Sequence, residues 1–329
     1  MKNILITGGA GYLGCTLLDA LFNPDEEDFE TEYSMNDFSV RVVDDLRYRQ
    51  TVLANYFRKK NFEFIKADVR DHNKMKEFYE WADIIIPLAC IVGMPACKKD
   101  KIAARDINQK AIEYLASVAR CDQKIIFPTT NSGYGIGGVV DGNLVHCDEN
   151  TPLNPISLYG ETKVKAESSL LESGNAVCLR LATVFGASER MRLDLLVNDF
   201  VYRSFNDKFI VLFEGHFKRN YIHARDVART IIFSINNFSR MRGNSFNVGL
   251  SAANLSKKEL CNEIKRFVPN FFVAESEINS DPDKRNYVVS NKKLESLGWQ
   301  PRYTLRDGIK ELLNYYSIIA SNNKIFTNL

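Results

Sequence analysis

The chain has 329 residues and a net charge of +2, and 45% of its residues are hydrophobic while 26% are charged. A chain of this length buries a substantial core in one large domain or two closely joined ones, and its nearly balanced charge gives no reason to expect binding to nucleic acid or to an anionic membrane. No apolar run approaches the roughly 18 residues of a membrane span, and the chain opens on a strand rather than a leader, so we expect a cytoplasmic protein.

The first predicted element is a strand at residues 3–7, which leads through a glycine-rich turn into a helix at residues 15–22. Gly8, Gly11 and Gly14 have the spacing G-x-x-G-x-x-G, in the strand–turn–helix order that places backbone N–H groups around a diphosphate. This context favours a dinucleotide site over a tight turn without a ligand. The predicted cofactor contacts in the turn are Gly8, Gly11, Tyr12, Leu13 and Gly14.

Residues 23–39 form an acidic insertion, which we interpret as a solvated surface loop. Residues 40–43 then predict a second strand, which ends at Asp44 and Asp45. A carboxylate at this position can accept hydrogen bonds from the adenosine ribose and repels a 2′-phosphate, so NAD is favoured over NADP. Capping of the next helix is the alternative role, and it suits Asp45 better than Asp44.

Strands and helices continue to alternate, with strands at residues 62–66 and 83–87 and a helix at residues 72–81 between them. This alternation predicts an α/β fold with a doubly wound parallel sheet, the Rossmann type. Leu88 and Ala89 follow the fourth strand at the carboxyl edge, where ligands bind. A long helix follows at residues 101–121, and its apolar stripe can pack on the sheet, on a second subunit, or on both.

A fifth strand at residues 124–127 leads into a stretch rich in hydroxyls and glycine, residues 128–135. Thr130 in this stretch can steady a sugar oxygen while a base removes the proton. An ordinary Ser/Thr turn is the alternative interpretation.

Tyr159 and Lys163 are four residues apart, so on a helix both face one bound molecule. An ammonium group beside a phenol favours the phenolate, and lowering the phenol pKa by about 3 units takes about 4 kcal/mol. Tyr159 can then take a proton from a sugar hydroxyl while hydride leaves the same carbon. Read alone, the pair is equally consistent with a chance pairing on a solvated helix.

The composition changes after Glu189, where we predict a helix with a polar entrance that begins a smaller α/β substrate domain. Residues 1–185 are assigned to the Rossmann domain, with 219–250 returning to it, and residues 186–329 to the smaller domain. Arginine matches the geometry of a diphosphate, so Arg192, with Asn198, is a candidate substrate ligand, although Arg190 and Arg192 can equally be surface charges. His223 is interpreted as a hydrogen-bonded core residue.

The cysteines are scattered through apolar segments without a C-x-x-C pair, and the chain has only four histidines. Buried free thiols are therefore favoured over disulfides or a zinc site, and no metal is expected. The cysteines are Cys15, Cys90, Cys97, Cys121, Cys147, Cys178 and Cys261.

Together these motifs resemble the extended short-chain dehydrogenase/reductases of the nucleotide-sugar epimerase and dehydratase family. The matching features span most of the chain: Gly8-x-x-Gly11-x-x-Gly14, Asp44, Asp68-Val69, Leu88-Ala89, Thr130 with Tyr134-Gly135, Tyr159-x-x-x-Lys163, and residues 219–228. The resemblance implies that Tyr159 is the acid/base, that Lys163 binds the nicotinamide ribose and that Thr130 assists. It adds Asp68 and Val69 to the contacts with NAD.

The resemblance also implies a nucleotide-diphosphate sugar as the substrate, with Arg219 and Arg285 on its phosphates, and a homodimer formed through the helices near 101–121 and 157–173. Many relatives have asparagine where this chain has Thr183, on the substrate phosphates. The 4,6-dehydratases of the family carry Asp-Glu directly after the threonine. Here those positions are Asn131 and Ser132, which are not carboxyl groups, so water elimination is disfavoured.

Three segments more closely resemble NAD-dependent C4 dehydrogenases of GDP-manno-heptose in bacterial capsule biosynthesis: residues 131–137, 191–200 and 281–285. This resemblance implies oxidation at C4 to a 4-keto sugar nucleotide. A 4-epimerase, which returns the hydride to the other face of the ketone, uses the same residues and stays open. A non-catalytic NAD-binding regulator is a third hypothesis, which the presence of Thr130, Tyr159 and Lys163 disfavours.

Overall fold

The computed structural model of the protein describes residues 2–24, 38–140, 143–276 and 285–318. Most of the acidic insertion, residues 281–284 and the tail after residue 318 lie outside these ranges. The strands are β1 (Lys2–Thr7), β2 (Phe38–Asp44), β3 (Phe62–Lys66), β4 (Ile84–Pro87), β5 (Lys124–Thr130), β6 (Val139–Val140), β7 (Asn143–Leu144), β8 (His146–Cys147), β9 (Ala176–Leu181), β10 (Thr183–Phe185), β11 (Phe209–Leu212), β12 (Lys218–His223), β13 (Asn244–Val248), β14 (Asn254–Ser256), β15 (Phe272–Glu275) and β16 (Val288–Val289).

Helices follow most of the strands of the first half and dominate the second half. They are α1 (Tyr12–Phe22), α2 (His72–Trp81), α3 (Met94–Lys99), α4 (Lys101–Arg105), α5 (Ala111–Val118), α6 (Leu158–Glu172), α7 (Leu196–Asn206), α8 (Ala224–Asn236), α9 (Phe238–Met241), α10 (Lys257–Lys265), α11 (Lys292–Glu295) and α12 (Leu305–Tyr316). Short 3₁₀ turns cover Ala54–Tyr56 and Asn131–Tyr134, and a π-helical turn covers Asp106–Lys110.

A parallel sheet of seven strands is the centre of the fold, in the order β13-β9-β5-β4-β1-β2-β3. Successive residues of β1 enter different cores, since Ile4 and Ile6 belong to one hydrophobic cluster and Leu5 to the other. A sheet that is buried on both faces needs such near-continuous apolar strands. The predicted α/β doubly wound fold is therefore confirmed.

The order of the strands reverses between β1 and β4, so the connections that follow these two neighbouring strands leave the carboxyl edge of the sheet in opposite directions. Ligands of open α/β sheets bind in the crevice at such a reversal. The glycine turn after β1 and residues 88–93 after β4 form the two sides of this crevice.

The predicted long helix is present, but its hydrogen-bonding pattern changes in the middle. Helix α4 passes through the π-helical turn Asp106–Lys110 into α5, which ends at Val118. The predicted apolar stripe faces the core at Ala103, Ile107 and Leu115, while Ile102 is 75% exposed. The stripe therefore packs within the chain, and dimerisation stays a prediction.

The second half adds smaller sheets, β10-β12-β14 and β11-β15, with α7, α10 and α12 packed near them. The helix predicted after Glu189 begins only at Leu196, because residues 187–195 form an irregular segment that carries Arg190 and Arg192. Strand β13 returns to the central sheet beside β9. The division into two domains stays a prediction.

Five of the cysteines are buried and free, whereas Cys90 is partly buried and Cys121 is exposed, which corrects the expectation for Cys121. Across the part of the chain that the structure describes, no helix has the length and apolar character needed to cross a membrane.

Candidate active site

A cavity of about 560 Å³ opens at the carboxyl edge of the sheet. Its walls come from the glycine turn, from the residues after β2, β3, β4 and β5, from the start of α6 and from the irregular segment before α7. Every predicted cofactor-binding and catalytic residue lines it: Gly8, Gly11, Tyr12, Leu13, Gly14, Asp44, Asp45, Asp68, Val69, Leu88, Ala89, Thr130, Tyr159 and Lys163. The topology thus gathers residues from distant parts of the sequence.

The glycine turn has no room for side chains. Gly8 has φ +72°, and a Cβ at this position would lie 2.5 Å from the Ala89 nitrogen. A Cβ at Gly14 would lie 2.4 Å from the Gly9 oxygen. Helix α1 begins without a side-chain cap, so its positive end is available to an anion. These features fit the diphosphate of a dinucleotide.

Asp44 connects the end of β2 to this turn. Its carboxylate accepts hydrogen bonds from the Ala10 N–H at 3.1 Å and from the Leu46 N–H at 2.8 Å. Burial raises the pKa of Asp44 above its usual value. Asp45 accepts from the Arg47 N–H instead, at 3.0 Å, and no helix starts there, so the capping alternative for Asp45 is wrong.

Residues after β3 and β4 complete the cofactor side of the cavity. Asp68 pairs with Arg70, and this hydrogen bond lowers the pKa of the Asp68 carboxyl. Cys90 directly follows Ala89 and also lines the cavity. No motif in the sequence singles out Cys90, although its position directly after Leu88-Ala89 marks it as a neighbour of the site.

Tyr159 and Lys163 lie in the first two turns of α6. Ser157 caps this helix, since its hydroxyl oxygen accepts from the Gly160 N–H at 3.2 Å. Lys163 is 4% exposed, and its ammonium nitrogen lies 3.9 Å from the centre of the Phe127 ring. The pair therefore faces the cavity from a well-anchored helix end, and the alternative of a solvated surface pair is wrong.

Burial determines the direction in which both groups titrate. It raises the pKa of the Tyr159 phenol and lowers the pKa of the Lys163 ammonium. The cations that act against burial at Tyr159 are Arg285 and Arg192. The expectation that Lys163 favours the phenolate of Tyr159 stays a prediction.

Thr130 belongs to a chain of hydrogen-bonding groups. The Thr130 and Ser132 hydroxyl oxygens are 2.9 Å apart, and the Ser132 N–H donates to the Thr130 hydroxyl at 3.1 Å. The Arg285 guanidinium donates to the Ser132 hydroxyl. An arginine can only donate, so the Ser132 hydroxyl oxygen is the acceptor of this bond. Thr130, Ser132 and Arg285 line the same cavity as Tyr159.

The predicted substrate residues divide into two groups. Those that line the cavity are Ser132, Thr183, Arg192, Arg219 and Arg285. Asn131 and Asn198 are fully buried and are not part of the lining. The Asn198 carboxamide accepts from the Gly186 N–H at 3.1 Å and donates to the Arg192 carbonyl at 2.9 Å, so it holds the backbone of the segment that carries Arg192.

Further cavity residues carry no signature in the sequence. Lys257 is 4% exposed and donates to the Phe213 carbonyl at 2.7 Å, and Tyr48 follows β2 in an irregular loop.

His223 is 1% exposed, and its Nε2 lies 2.8 Å from a Glu311 carboxylate oxygen. Its predicted role as a hydrogen-bonded core residue is confirmed.

The chain matches known proteins along most of its length. The sequence profile of the "NAD dependent epimerase/dehydratase family" matches residues 4–249. The chain is 26% identical to the CDP-paratose 2-epimerase of Salmonella typhi, over 96% of this chain and 99% of that protein. It is 24% identical to the dTDP-D-glucose 4,6-dehydratase of Homo sapiens, over 96% of this chain and 90% of that protein.

The fold also matches solved structures. One is the UDP-glucuronic acid 4-epimerase from Bacillus cereus in complex with UDP-glucuronic acid and NAD, with a TM-score of 0.80 and 20% identity, over 96% of this chain and 99% of that one.

Proposed function

The chain belongs to the NAD-dependent epimerase/dehydratase family, and from this premise we propose that it oxidises C4 of a nucleotide-diphosphate sugar to the ketone. NAD, the cofactor of the family, supplies the hydride acceptor when bound. We take GDP-manno-heptose as the first substrate to test, because the sequences of residues 131–137, 191–200 and 281–285 resemble dehydrogenases of that sugar. The product would serve capsule or surface polysaccharide biosynthesis.

One observation carries the proposal: Tyr159, Lys163 and Thr130 line the same cavity as the glycine turn and Asp44. In the proposed reaction Tyr159 takes the proton of the C4 hydroxyl as this carbon is oxidised. Lys163 holds the nicotinamide ribose with its ammonium group. The Thr130 hydroxyl contacts the sugar oxygen and keeps it in line with the phenol.

Cations along the cavity support a diphosphate substrate. Arg219 is 3% exposed, and its guanidinium carbon lies 5.7 Å from the centre of the Tyr287 ring. Arg285 and Lys257 line the same cavity. Planar guanidinium groups match phosphate oxygens in pairs, so we assign the substrate diphosphate to Arg219 and Arg285.

The residues after Thr130 disfavour elimination of water. Ser132 occupies the position of the second dehydratase carboxylate, and its hydroxyl accepts from Arg285. A hydroxyl held by a cation is a poor proton acceptor at neutral pH. Asn131 has a neutral carboxamide and is not part of the cavity lining. Oxidation without dehydration is therefore the reaction that these residues favour.

A 4-epimerase is the alternative function, and the same three residues would carry it. Full-length similarity to a 2-epimerase and the fold of a 4-epimerase support this class. A dehydrogenase releases the 4-keto sugar. An epimerase keeps it bound and returns the hydride to the other face of the ketone. A non-catalytic NAD-binding regulator is the hypothesis furthest from both.

The test is incubation with GDP-manno-heptose and NAD, followed by mass spectrometry, NADH fluorescence and proton NMR of the sugar. A dehydrogenase yields NADH and a product that is two hydrogens lighter, whereas an epimerase yields two C4 stereoisomers and no net NADH. Tyr159→Phe should lower turnover by about 10²–10⁴-fold. Tyr114→Phe is the matched control, since the Tyr114 hydroxyl donates to the His72 carbonyl at 3.0 Å, away from the cavity lining.

Absence of both the keto sugar and NADH would eliminate the heptose dehydrogenase. Unchanged activity of Tyr159→Phe on every substrate tried would remove the assigned role of Tyr159 and revive the regulator hypothesis.

A further inference from the structure

Residues 186–192, which comprise Gly186 and the first part of the irregular segment 187–195, cross the glycine turn of the dinucleotide site. The Tyr12 hydroxyl donates to the Gly186 carbonyl at 2.7 Å, and the Ser188 hydroxyl donates back to the Tyr12 carbonyl at 2.9 Å. Tyr12 is the first residue of α1. Two hydrogen bonds thus join the start of this segment to the start of the helix that faces the cofactor.

The segment is held in place from its other side as well. Asn198 bonds to the backbone of Gly186 and Arg192. Gly186 has φ +113°, and a Cβ there would lie 2.5 Å from the His223 imidazole. Position 186 therefore requires glycine, because its backbone conformation is one that other residues rarely adopt and a side chain would collide with His223.

Between these anchors the segment presents Arg190 to the cavity. Arg190 is 5% exposed, yet it is part of the cavity lining. Its guanidinium carbon lies 5.4 Å from the centre of the Tyr48 ring, and its Nη1 donates to the Met191 carbonyl at 2.8 Å. Tyr48 also lines the cavity and lies four residues after Asp44. The Arg190 guanidinium and the Tyr48 ring therefore lie close together in the cavity lining.

We propose that Arg190 and Tyr48 bind the adenosine diphosphate half of NAD, and that residues 186–192 form a strap that has to loosen when NAD exchanges. A buried guanidinium in the lining of the cavity that the glycine turn also lines can donate charge-assisted hydrogen bonds to the diphosphate. The neighbouring Arg192 is already engaged by Asp194, at 2.5 and 3.2 Å. This assignment rests on the family cofactor and is independent of which sugar the protein oxidises.

Equilibrium binding tests the two residues without any turnover. We expect Arg190→Ala to weaken binding of both NAD and ADP-ribose by about tenfold or more, with a smaller loss for Tyr48→Leu. Arg190→Lys should lie between the wild type and Arg190→Ala, because it keeps the charge and loses the planar group. Arg306→Ala is the matched control, since Arg306 pairs with Glu263 outside the cavity lining.

Comparing the binding of ADP-ribose with the binding of GDP distinguishes a cofactor role of Arg190 from a role in binding the sugar nucleotide. Unchanged ADP-ribose binding in folded Arg190→Ala and Tyr48→Leu would overturn the proposal. Weaker binding of GDP with unchanged binding of ADP-ribose would overturn it too, because Arg190 would then belong to the sugar nucleotide. If Arg190→Ala does not fold, Arg190→Lys and Tyr48→Leu decide the question.

The strap is tested by the rate of NAD release. Tyr12→Phe and Ser188→Ala each remove one of the two hydrogen bonds and keep the ring or the backbone in place. We expect release several-fold faster than in the wild type, measured by stopped-flow displacement with excess ADP-ribose. Release at the wild-type rate in both variants would show that the strap does not limit exchange.

Discussion

At the scale of single residues, the unexpected feature is the source of positive charge around Tyr159. Burial raises the pKa of this phenol, and Arg285 and Arg192 oppose the effect. Lys163, one helical turn away, lies over the Phe127 ring. The pKa of the acid/base is therefore influenced by cations from the second half of the chain.

This arrangement predicts the pH dependence of an Arg285→Gln variant. Removing the cation raises the pKa of Tyr159, so less phenolate is present at any given pH, and the acidic limb of the activity profile should move to higher pH. The loss of kcat at saturating substrate should be largest at low pH and should shrink as the pH rises. The measurement is a kcat profile across neutral and alkaline pH.

Arg306→Gln provides the control for this profile, because that arginine lies on the surface beside Glu263. A uniform loss at every pH, with an unshifted acidic limb, would contradict the electrostatic role and leave Arg285 with substrate binding alone.

At the residue scale, the sequence locates residues of one cavity where a motif determines the backbone. Gly8, Asp44, Tyr159 and Lys163 all line the cavity because each follows from strand–turn–helix geometry or from helical spacing. The predicted substrate contact of Asn198 is wrong in this structure, because its carboxamide hydrogen-bonds to the backbone of Gly186 and Arg192 and does not line the cavity. The direction of a polar side chain on an irregular segment depends on its tertiary neighbours, and no spacing rule encodes those.

At the scale of secondary-structure elements, a buried ion pair fixes α6 against the sheet. Glu167 of α6 accepts from the Arg180 guanidinium of β9, at 2.7 and 2.9 Å, and from the Ser245 hydroxyl of β13 at 2.7 Å. Arg180 also donates to the Tyr134 hydroxyl at 3.0 Å. The network connects the helix of Tyr159 with the turn that follows Thr130, so it determines how these two elements face each other.

Breaking this pair should destabilise the fold strongly. Glu167→Gln leaves the Arg180 charge buried with a neutral partner, and loss of one member of a buried pair costs about 3–5 kcal/mol. Urea unfolding measures the loss. The control is Arg203→Ala, which removes an exposed pair with Asp199 and should cost less than about 1 kcal/mol. A similar small loss for Glu167→Gln would show that the network contributes little.

The elements differ in how far the sequence predicts them. Helix α2 and strand β3 have the predicted bounds. The start of α2 is marked in the sequence by Asp71, whose side chain accepts from the Lys74 N–H. The helix predicted after Glu189 begins at Leu196 instead. The segment before it is held by Tyr12, which is far away in sequence, and by Asn198 of the following helix. The local pattern could not reveal the contacts with Tyr12.

At the scale of the whole molecule, one cavity depends on both halves of the chain. The first half supplies the glycine turn, Asp44 and Tyr159, and the second supplies Arg192, Arg219 and Arg285. The parallel sheet makes this possible by bringing the carboxyl ends of its strands to one edge. The sequence predicted the sheet and this edge, whereas the path of residues 186–192 across the glycine turn emerged only in the structure.

Because the cofactor contacts several elements at once, NAD should stabilise the whole fold. A ligand at one hundred times its Kd adds about 2.7 kcal/mol to the free energy of unfolding. We expect a higher Tm with NAD and a clearly smaller rise with the same concentration of NADP, because the Asp44 carboxylate beside the glycine turn repels a 2′-phosphate. Differential scanning calorimetry measures both shifts.

Asp44→Asn identifies the group responsible for that difference. This variant keeps the shape of the side chain and removes its charge, so the gap between NAD and NADP should narrow. Asp122→Asn is the control, since Asp122 pairs with Arg120 away from the cavity lining. Equal shifts by the two dinucleotides in the wild type would mean that Asp44 does not select the cofactor, and that the adenosine ribose is recognised by another part of the cavity, such as Asp45 or Arg47.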